Sequence, residues 1–414
     1  MKTKKPLVGA AIIGQSGGPS AVINASAYGV IKTALESESI TKVYGAHHGI
    51  VGVLNSRLID LGKEDPKELE RLLYTPSSAL GSCRYKIADP EVDDTDYKRI
   101  LEVFEKYNVR YFFYNGGNDS MDTCNKINRY MQKVGYECRV FGVPKTIDND
   151  LFGTDHCPGF ASAAKYIATS FMEVSRDSTV YDKGMITIIE CMGRHAGWLT
   201  AASALAGLSG DGPDLIYLPE VDFDMDQFLD DVIETYKRRG KCLVAVSEGL
   251  HYSDGTFVSE AKTSGTDGFG HAQLGGLAAR LASILKAATG AKVRGIELSL
   301  LQRCAAHCAS LTDIEESFQS GKVAVESALK GETGKMVGFT CDRTKGYRCK
   351  YELFDLEKVA NFEKKVPLEW ITENHTYVTE DFIRYCLPLI KGETKLEYEN
   401  GLPRFARLKQ VFAK

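Results

Sequence analysis

Residues 8–20 read Val8-Gly9-Ala10-Ala11-Ile12-Ile13-Gly14-Gln15-Ser16-Gly17-Gly18-Pro19-Ser20, an apolar run that breaks into glycines, and a stretch of helical spacing follows over 21–35. A short, nearly continuous hydrophobic run of this kind fits a strand buried on both faces. Strand, glycine turn and helix together form the opening unit of a doubly wound α/β sheet. The turn lies where such sheets bind ligands, beyond the carboxyl ends of the strands. Glycines let a backbone approach an anion closely, and Ser20 is placed to cap the helix whose first amides bind phosphate. The spacing matches neither a Walker loop nor Gly-x-Gly-x-x-Gly, so the turn alone does not separate a phosphate cradle from a tight turn.

Outward from this unit the pattern repeats. Strand-like runs at 109–114, 139–143, 185–190, 214–218, 243–247 and 292–298 alternate with helical segments at 121–134, 161–174, 199–208, 225–238 and 277–288. In 121–134, Met121, Cys124, Ile127, Met131 and Val134 recur at steps of three and four, which is one helix face. The expected fold class is α/β and doubly wound. Residues 211–214 and 253–271 read as loops, and the stretch from Gly334 reads as an addition packed on the main body, with short pieces at 354–363 and 381–387.

The 414 residues are enough for more than one domain. Against 51 basic side chains stand 55 acidic ones, and a net charge of -4 gives no general attraction to nucleic acid or an anionic membrane. No run reaches about 18 consecutive apolar residues, so no membrane span is expected. The basic start, Met1-Lys2-Thr3-Lys4-Lys5-Pro6, leads into the first strand with no small-residue cleavage site, and no signal peptide is expected. Eleven cysteines without a Cys-x-x-Cys pair read as reduced structural thiols in a cytoplasm. The cluster from Cys304 to Cys308 lacks a second pair at zinc-ligand spacing.

The other strand ends carry the remaining unusual sequence. Gly116-Gly117-Asn118-Asp119-Ser120 is a second glycine turn before a helix, with Asp119 or Ser120 available as a cap. Pro144-Lys145-Thr146-Ile147-Asp148-Asn149-Asp150 brings an amine, a hydroxyl and two carboxylates to one strand end. Asp148 and Asp150, two apart, point the same way if the segment is extended. One of them would take a proton from a hydroxyl while the other orients a cation; a polar Asx turn is the plain alternative. Met192-Gly193-Arg194 offers a bidentate fork for phosphate, and Glu248 a partner for sugar hydroxyls. Arg84, Arg294 and Arg303 add positive charge, while the adjacent His47 and His48 read as loop residues. Together these features fit phosphoryl transfer to a phosphorylated, hydroxyl-bearing small molecule. A dinucleotide-dependent dehydrogenase fits worse for want of a fingerprint, and a noncatalytic sugar-phosphate sensor stands as the third reading.

On these residues, in this order, the sequence resembles the phosphofructokinase family in its pyrophosphate-dependent branch. The resemblance runs from about Val8 to Glu316 through Gly17-Gly18, Gly81-Ser82-Cys83-Arg84, the 116–120 turn, 144–150, Met192-Gly193-Arg194, Glu248 and Gln302-Arg303. It implies two similar doubly wound, Rossmann-like domains facing across a cleft: a phosphoryl-donor domain over 1–155, a sugar-phosphate domain over 156–305, and a return crossover with a C-terminal extension over 306–414. It further implies transfer from pyrophosphate to the 1-hydroxyl of fructose 6-phosphate, with Asp148 as base. Thr146, Ile147, Met192, Gly193, Arg194, Glu248, Arg294 and Arg303 would bind the sugar phosphate. Gly17, Arg84, Lys145 and the 116–120 turn would hold the donor.

Donor choice follows from two positions of the resemblance. ATP-using relatives have glycine at the places of Asp119 and Lys145. A carboxylate at Asp119 fills the volume of an α-phosphate and repels its charge, and Lys145 stabilises departing phosphate. The resemblance thus implies pyrophosphate over ATP. It also implies Mg2+, with Asn118 standing where the family has an aspartate ligand and with Asp119 and Asp150 as helpers. Met185 and Leu300 occupy family arginine and histidine positions, with Lys183 as a substitute charge, and sedoheptulose 7-phosphate is a second acceptor to consider. A homodimer or homotetramer is expected, because a subunit interface completes the sugar-phosphate site in many members.

Overall fold

The apolar runs form the strands of two sheets in the computed structural model, which describes residues 6–180, 182, 184–259, 274–360 and 362–414. In chain order the strands are β1 (Gly9–Gln15), β2 (Ile40–Ala46), β3 (Leu58–Asp60), β4 (Val109–Gly116), β5 (Arg139–Pro144), β6 (Ile186–Cys191), β7 (Leu215–Tyr217), β8 (Cys242–Ser247), β9 (Val293–Glu297), β10 (Lys335–Asp342) and β11 (Arg348–Asp355). The first sheet has the order β11-β10-β5-β4-β1-β2-β3, and the second β7-β8-β6-β9. All pairs of the second sheet are parallel. The first is parallel through its middle and closes at each side with an antiparallel strand. Lys183 and residues 260–271 of the 253–271 loop lie outside the described residues.

Period-two alternation explains why the first sheet is covered on both faces. Ala10 and Ile12 of β1 join Phe112 and Tyr114 of β4 in one core. Ala11 and Ile13 join Tyr111 and Phe113 in the other. The main helices around the site are α1 (Ile23–Leu35), α2 (Asn118–Lys133), α3 (Phe160–Ser178), α4 (Leu277–Thr289) and α5 (Leu311–Leu329). Helices α1 and α5 cross at glycines: a Cβ on Gly29 would sit 2.0 Å from the Phe318 carbonyl oxygen, and one on Gly321 2.1 Å from that of Ser26.

Some expectations change at the helix starts. Ser20 does not cap α1, which begins after Val22; its hydroxyl accepts instead from the Val22 amide at 3.3 Å, closing a local turn. Neither Asp119 nor Ser120 caps α2, because the helix starts earlier, at Asn118, and takes both into its first turn behind Gly117. The segment expected at 199–208 is a short α-helix, Trp198–Ala202, that tightens into the 3-10 turns of Ser203–Ser209.

The stretch after Gly334, read as an addition, supplies β10 and β11 to the first sheet. Farther along, the chain returns to the opposite edge. The Asp60 amide donates to the Val411 carbonyl (2.8 Å) and the Ala413 amide to that of Leu58 (2.7 Å), while Glu64 accepts from the Lys409 and Gln410 amides. No helix among the described residues is long and apolar enough to cross a membrane.

One buried carboxylate ties α5 to the start of α3. Asp313, 1% exposed, accepts from the Gly159 amide (3.0 Å), the Ser162 amide (2.9 Å) and the Ser162 hydroxyl (2.6 Å). Asp313→Ala would strand two buried amides at roughly 1–3 kcal/mol each, so a stability loss of about 3 kcal/mol is expected. Asp313→Asn, which keeps one acceptor, should lose less; urea unfolding of the two variants beside the parent checks this order.

Candidate active site

Parallel register sets three strand ends level. Gln15 pairs with Asn115, and Gly116 with Pro144, so the turns after β1, β4 and β5 emerge side by side. They open into a cavity of about 670 Å3 that also takes in residues beyond β6 and β8 of the second sheet. Gly17, Arg84, Asn118, Asp119, Lys145, Thr146, Ile147, Asp148, Met192, Arg194, Glu248 and Arg303 all line it. An adjoining cavity of about 440 Å3 shares Arg84, Met192, Arg194, Glu248 and Arg303 and extends toward Glu190, Leu300 and Gln302.

Two expected residues stand elsewhere. Gly193 lies behind the wall: at φ 134° its backbone turns so that its amide donates to Glu248 Oε1 (3.3 Å) and its carbonyl accepts from the Ser247 hydroxyl (2.6 Å). Arg294, on β9, opens onto a separate cavity of about 260 Å3 with Met185 and Thr187. Sequence reasoning missed Lys86, His195, Phe362 and Glu363, which complete the main cavity. His195 directly follows the Met192-Gly193-Arg194 turn after β6, and Lys86 lies two residues past Arg84, so both adjoin motifs already singled out, whereas Phe362 and Glu363 belong to no such motif.

The glycine turn after β1 is fixed to the segment that carries Arg84. The Gly17 amide donates to the Cys83 carbonyl (3.0 Å), and the Ser82 hydroxyl to the Gly17 carbonyl (2.7 Å). A Cβ on Gly18 would meet Arg303 Nη1 at 3.0 Å and Arg84 Nη2 at 3.8 Å. Glycine there leaves two guanidinium groups, one from each side of the cavity, beside bare backbone. That is a fitting cradle for a phosphate.

The turn after β5 is not extended. Asn149, fully buried, takes the left-handed conformation at φ 56°, so Asp148 and Asp150 reach the cavity from a bend rather than from alternate positions of a strand. Asparagine tolerates this conformation better than most residues. Its side chain locks the bend: Nδ2 donates to the Tyr385 hydroxyl (2.8 Å), and Oδ1 accepts from the Cys157 amide (2.9 Å). The Thr146 hydroxyl accepts from the Asp148 amide (3.1 Å), and the Thr146 amide donates to the Pro158 carbonyl (3.2 Å).

Burial sets the charge balance here. It pushes the Asp148 carboxyl up, against the opposing pull of Lys145, Arg194 and Arg303. Burial, then the charge of Asp148, raises Asp150 to about 7, and the same two causes raise Glu248 to about 7. Burial lowers Lys145 to about 8 although Asp148 and Asp150 work to keep it charged. Carboxylates held this way are stronger bases than exposed ones, which suits proton abstraction.

Asn118 and Asp150 meet the requirements of a hard cation. Asn118 Nδ2 donates to Asp150 Oδ2 (3.0 Å), while Asn118 Oδ1 and Asp150 Oδ1 are buried without a hydrogen-bond donor. Unpartnered oxygens of this kind are the ligands a hard cation such as Mg2+ takes. Asp119, one residue on, pairs with Lys86 at 3.7 Å.

The fold and cleft define a two-sheet α/β protein with an arginine- and lysine-lined cavity at the strand ends. The sequence pattern of the family described as Phosphofructokinase matches residues 10–326, and the chain belongs to that family. It is 46% identical over 402 residues to the pyrophosphate–fructose 6-phosphate 1-phosphotransferase of Halomonas elongata, covering 96% of each chain. To the protein of that description from Methylococcus capsulatus it is 45% identical, covering 97% of this chain and 96% of the relative. The crystal structure of the pyrophosphate-dependent phosphofructokinase of Marinobacter aquaeolei superposes with a TM-score of 0.89 at 42% identity, covering 98% of each chain.

The role of Asn149 can be separated from that of its hydrogen bonds. Asn149→Gly and Asn149→Ala both lose the side-chain bonds, but only alanine resists the left-handed backbone, at about 1 kcal/mol. The alanine variant should therefore be less stable than the glycine variant by that amount in parallel urea titrations.

Proposed function

We propose that this chain transfers a phosphoryl group from pyrophosphate to the 1-hydroxyl of fructose 6-phosphate, giving fructose 1,6-bisphosphate and phosphate. The observation that carries the reading is the presence of Asp119, Lys145 and Asp148 on one cavity wall formed by the ends of β4 and β5. In this reading the sugar's phosphate group lies toward Arg194 and Arg303, and Glu248 accepts from its hydroxyls. Asp148 takes the proton of the 1-hydroxyl as that oxygen attacks the nearer phosphorus of pyrophosphate. The terminal phosphate leaves, and Lys145 stabilises its growing charge. Gly17, Gly18 and Arg84 hold the donor from one side, and the first amides of α2 from another. Asn118 and Asp150 would hold Mg2+, which when bound offsets charge between donor phosphates.

Asp119 decides the donor by occupying space and charge that an α-phosphate would need. Sugar recognition extends into the adjoining cavity, and sedoheptulose 7-phosphate belongs to the same acceptor class. Arg294, facing away from the chain's own cleft, would serve the sugar phosphate of a second copy, which supports a homodimer or homotetramer. A cytoplasmic location is part of the same reading.

A side-by-side assay with the two donors tests the proposal. Fructose 6-phosphate should be phosphorylated with pyrophosphate and Mg2+, with little turnover from ATP, and faster turnover with ATP would overturn the donor assignment. In the double variant Asp119→Gly with Lys145→Gly, kcat/KM should fall for pyrophosphate and rise for ATP. An unchanged ratio would place nucleotide exclusion elsewhere.

Asp148→Asn should lower kcat by ~10²–10⁴-fold with sugar-phosphate affinity little affected, the usual cost of losing a positioned base. Retention of more than about a tenth of the rate would shift the base to Asp150.

A further inference from the structure

On the hairpin of β10 and β11 lies a second group of side chains that the phosphoryl-transfer reading does not use. The antiparallel register pairs Cys341 directly with Cys349. Directly opposed residues on such strands put both side chains on one face, with Cα atoms roughly 4.5–5.5 Å apart, inside the range a disulfide spans. Both thiols are free and partly exposed.

Cys341 has a cationic neighbour. His156 Nδ1 lies 3.8 Å from its Sγ, and the Tyr347 hydroxyl 3.5 Å away. The imidazole is 1% exposed and held between two carboxylates: Nδ1 to Asp155 Oδ1 at 3.0 Å, and Nε2 to Glu316 Oε2 at 2.7 Å. Tyr347 donates to the other Glu316 oxygen at 2.6 Å. Burial works against charge on His156, but its bonds to Asp155, Cys341 and Glu316 outweigh that and raise it well above the ordinary range. A buried imidazolium beside sulfur favours the thiolate.

The thiols respond in opposite directions. The facing Cys349 thiol, and then His156, bring Cys341 down to about 6, whereas the hydrogen bond to Cys341 pushes Cys349 up. Interior thiols behave differently; burial raises Cys157 to about 11. Asp155, His156 and Cys341 are close enough to share a metal ion. The arrangement argues against one: Arg343 forks onto both Asp155 oxygens at 2.7 Å and brings its own positive charge, and an imidazolium is no ligand.

We propose that Cys341 is a nucleophilic thiol for low-molecular-weight disulfides of the glutathione class, and that Cys349 is its resolving partner. The Cys341 thiolate attacks one sulfur of the small disulfide, forming a mixed disulfide and expelling one thiolate, which takes up a proton from water. Cys349 then gives its proton to solvent and attacks the Cys341 sulfur, and the second small thiol departs. Two protein thiols are oxidised to one disulfide, and the small disulfide is reduced to two thiols.

The folded, full-length protein is treated with oxidised glutathione and mapped by peptide mass spectrometry. A Cys341–Cys349 crosslink is expected in the parent. Cys349→Ser should accumulate one glutathionyl group on Cys341, and Cys341→Ser should leave Cys349 unmodified over the same interval. Modification of Cys349 in that last variant, or no reaction at either position in the parent, would overturn the proposal. Iodoacetamide competition against free cysteine at pH 6.5 gives a second measure that needs no variant. A thiol titrating near 6 carries roughly seventyfold more thiolate there than an ordinary one, while its intrinsic nucleophilicity is roughly thirteenfold lower. Cys341 should therefore alkylate about fivefold faster than free cysteine. Labelling no faster than free cysteine would equally overturn the assignment.

Discussion

The level register of β1, β4 and β5 is the constraint on which the site depends. Gln15 opposite Asn115, and Gly116 opposite Pro144, bring three turns out of the sheet at one height. A strand moved by one residue would exchange every side chain between the two faces of the sheet. Both faces of β1 are apolar, with Ala10 and Ile12 in one core and Ala11 and Ile13 in the other, so the close fit of these side chains among their neighbours holds the register. Hydrophobic packing far from any ligand thus fixes the relative positions of the glycine cradle, the first turn of α2 and the Asp148 bend.

Electrostatics then acts on groups already held in place. Two carboxylates and an amine share a buried corner; the amine opposes the desolvation of Asp148, while the charge of Asp148 adds to that of Asp150. Lys145 draws Asp148 toward the charged form, and Asp148 keeps Lys145 from losing its proton altogether. The bend survives this crowding because Asn149 and Thr146 anchor it to backbone on the far side. Backbone strain at Asn149 and buried charge at Asp148 are costs that the rest of the fold carries, as is common at functional sites.

Much of this was legible in the sequence. Each parallel strand expected from an apolar run is present; in most of them burial on both faces leaves an uninterrupted signal, whereas β9 is largely exposed. Most residues lining the cleft were found where they lie at strand ends; His195, beyond β6, was not. What escaped the reading did so for physical reasons. Helix α5 buries Glu316, Ser317, Ser320 and Ser327, so its inner face does not read as apolar. Strand β11 alternates half-buried with exposed residues and is short of branched apolar side chains. The bend at Asn149 depends on Tyr385, 236 positions away, which no local spacing reveals. Arg294 has a plausible local context, yet its strand directs it to another surface.

The return of the chain to β3 has a consequence for colloidal behaviour. An open sheet presents unpaired amides and carbonyls at its margin, and these can template strands from other molecules. Val411 and Ala413 occupy that margin beside Leu58 and Asp60. At the opposite border Arg348, Lys350 and Glu352 alternate along β11. One flank is therefore sealed by backbone and the other guarded by charge. Peeling away the terminal segment would convert a sealed border into a template for fibrous self-association.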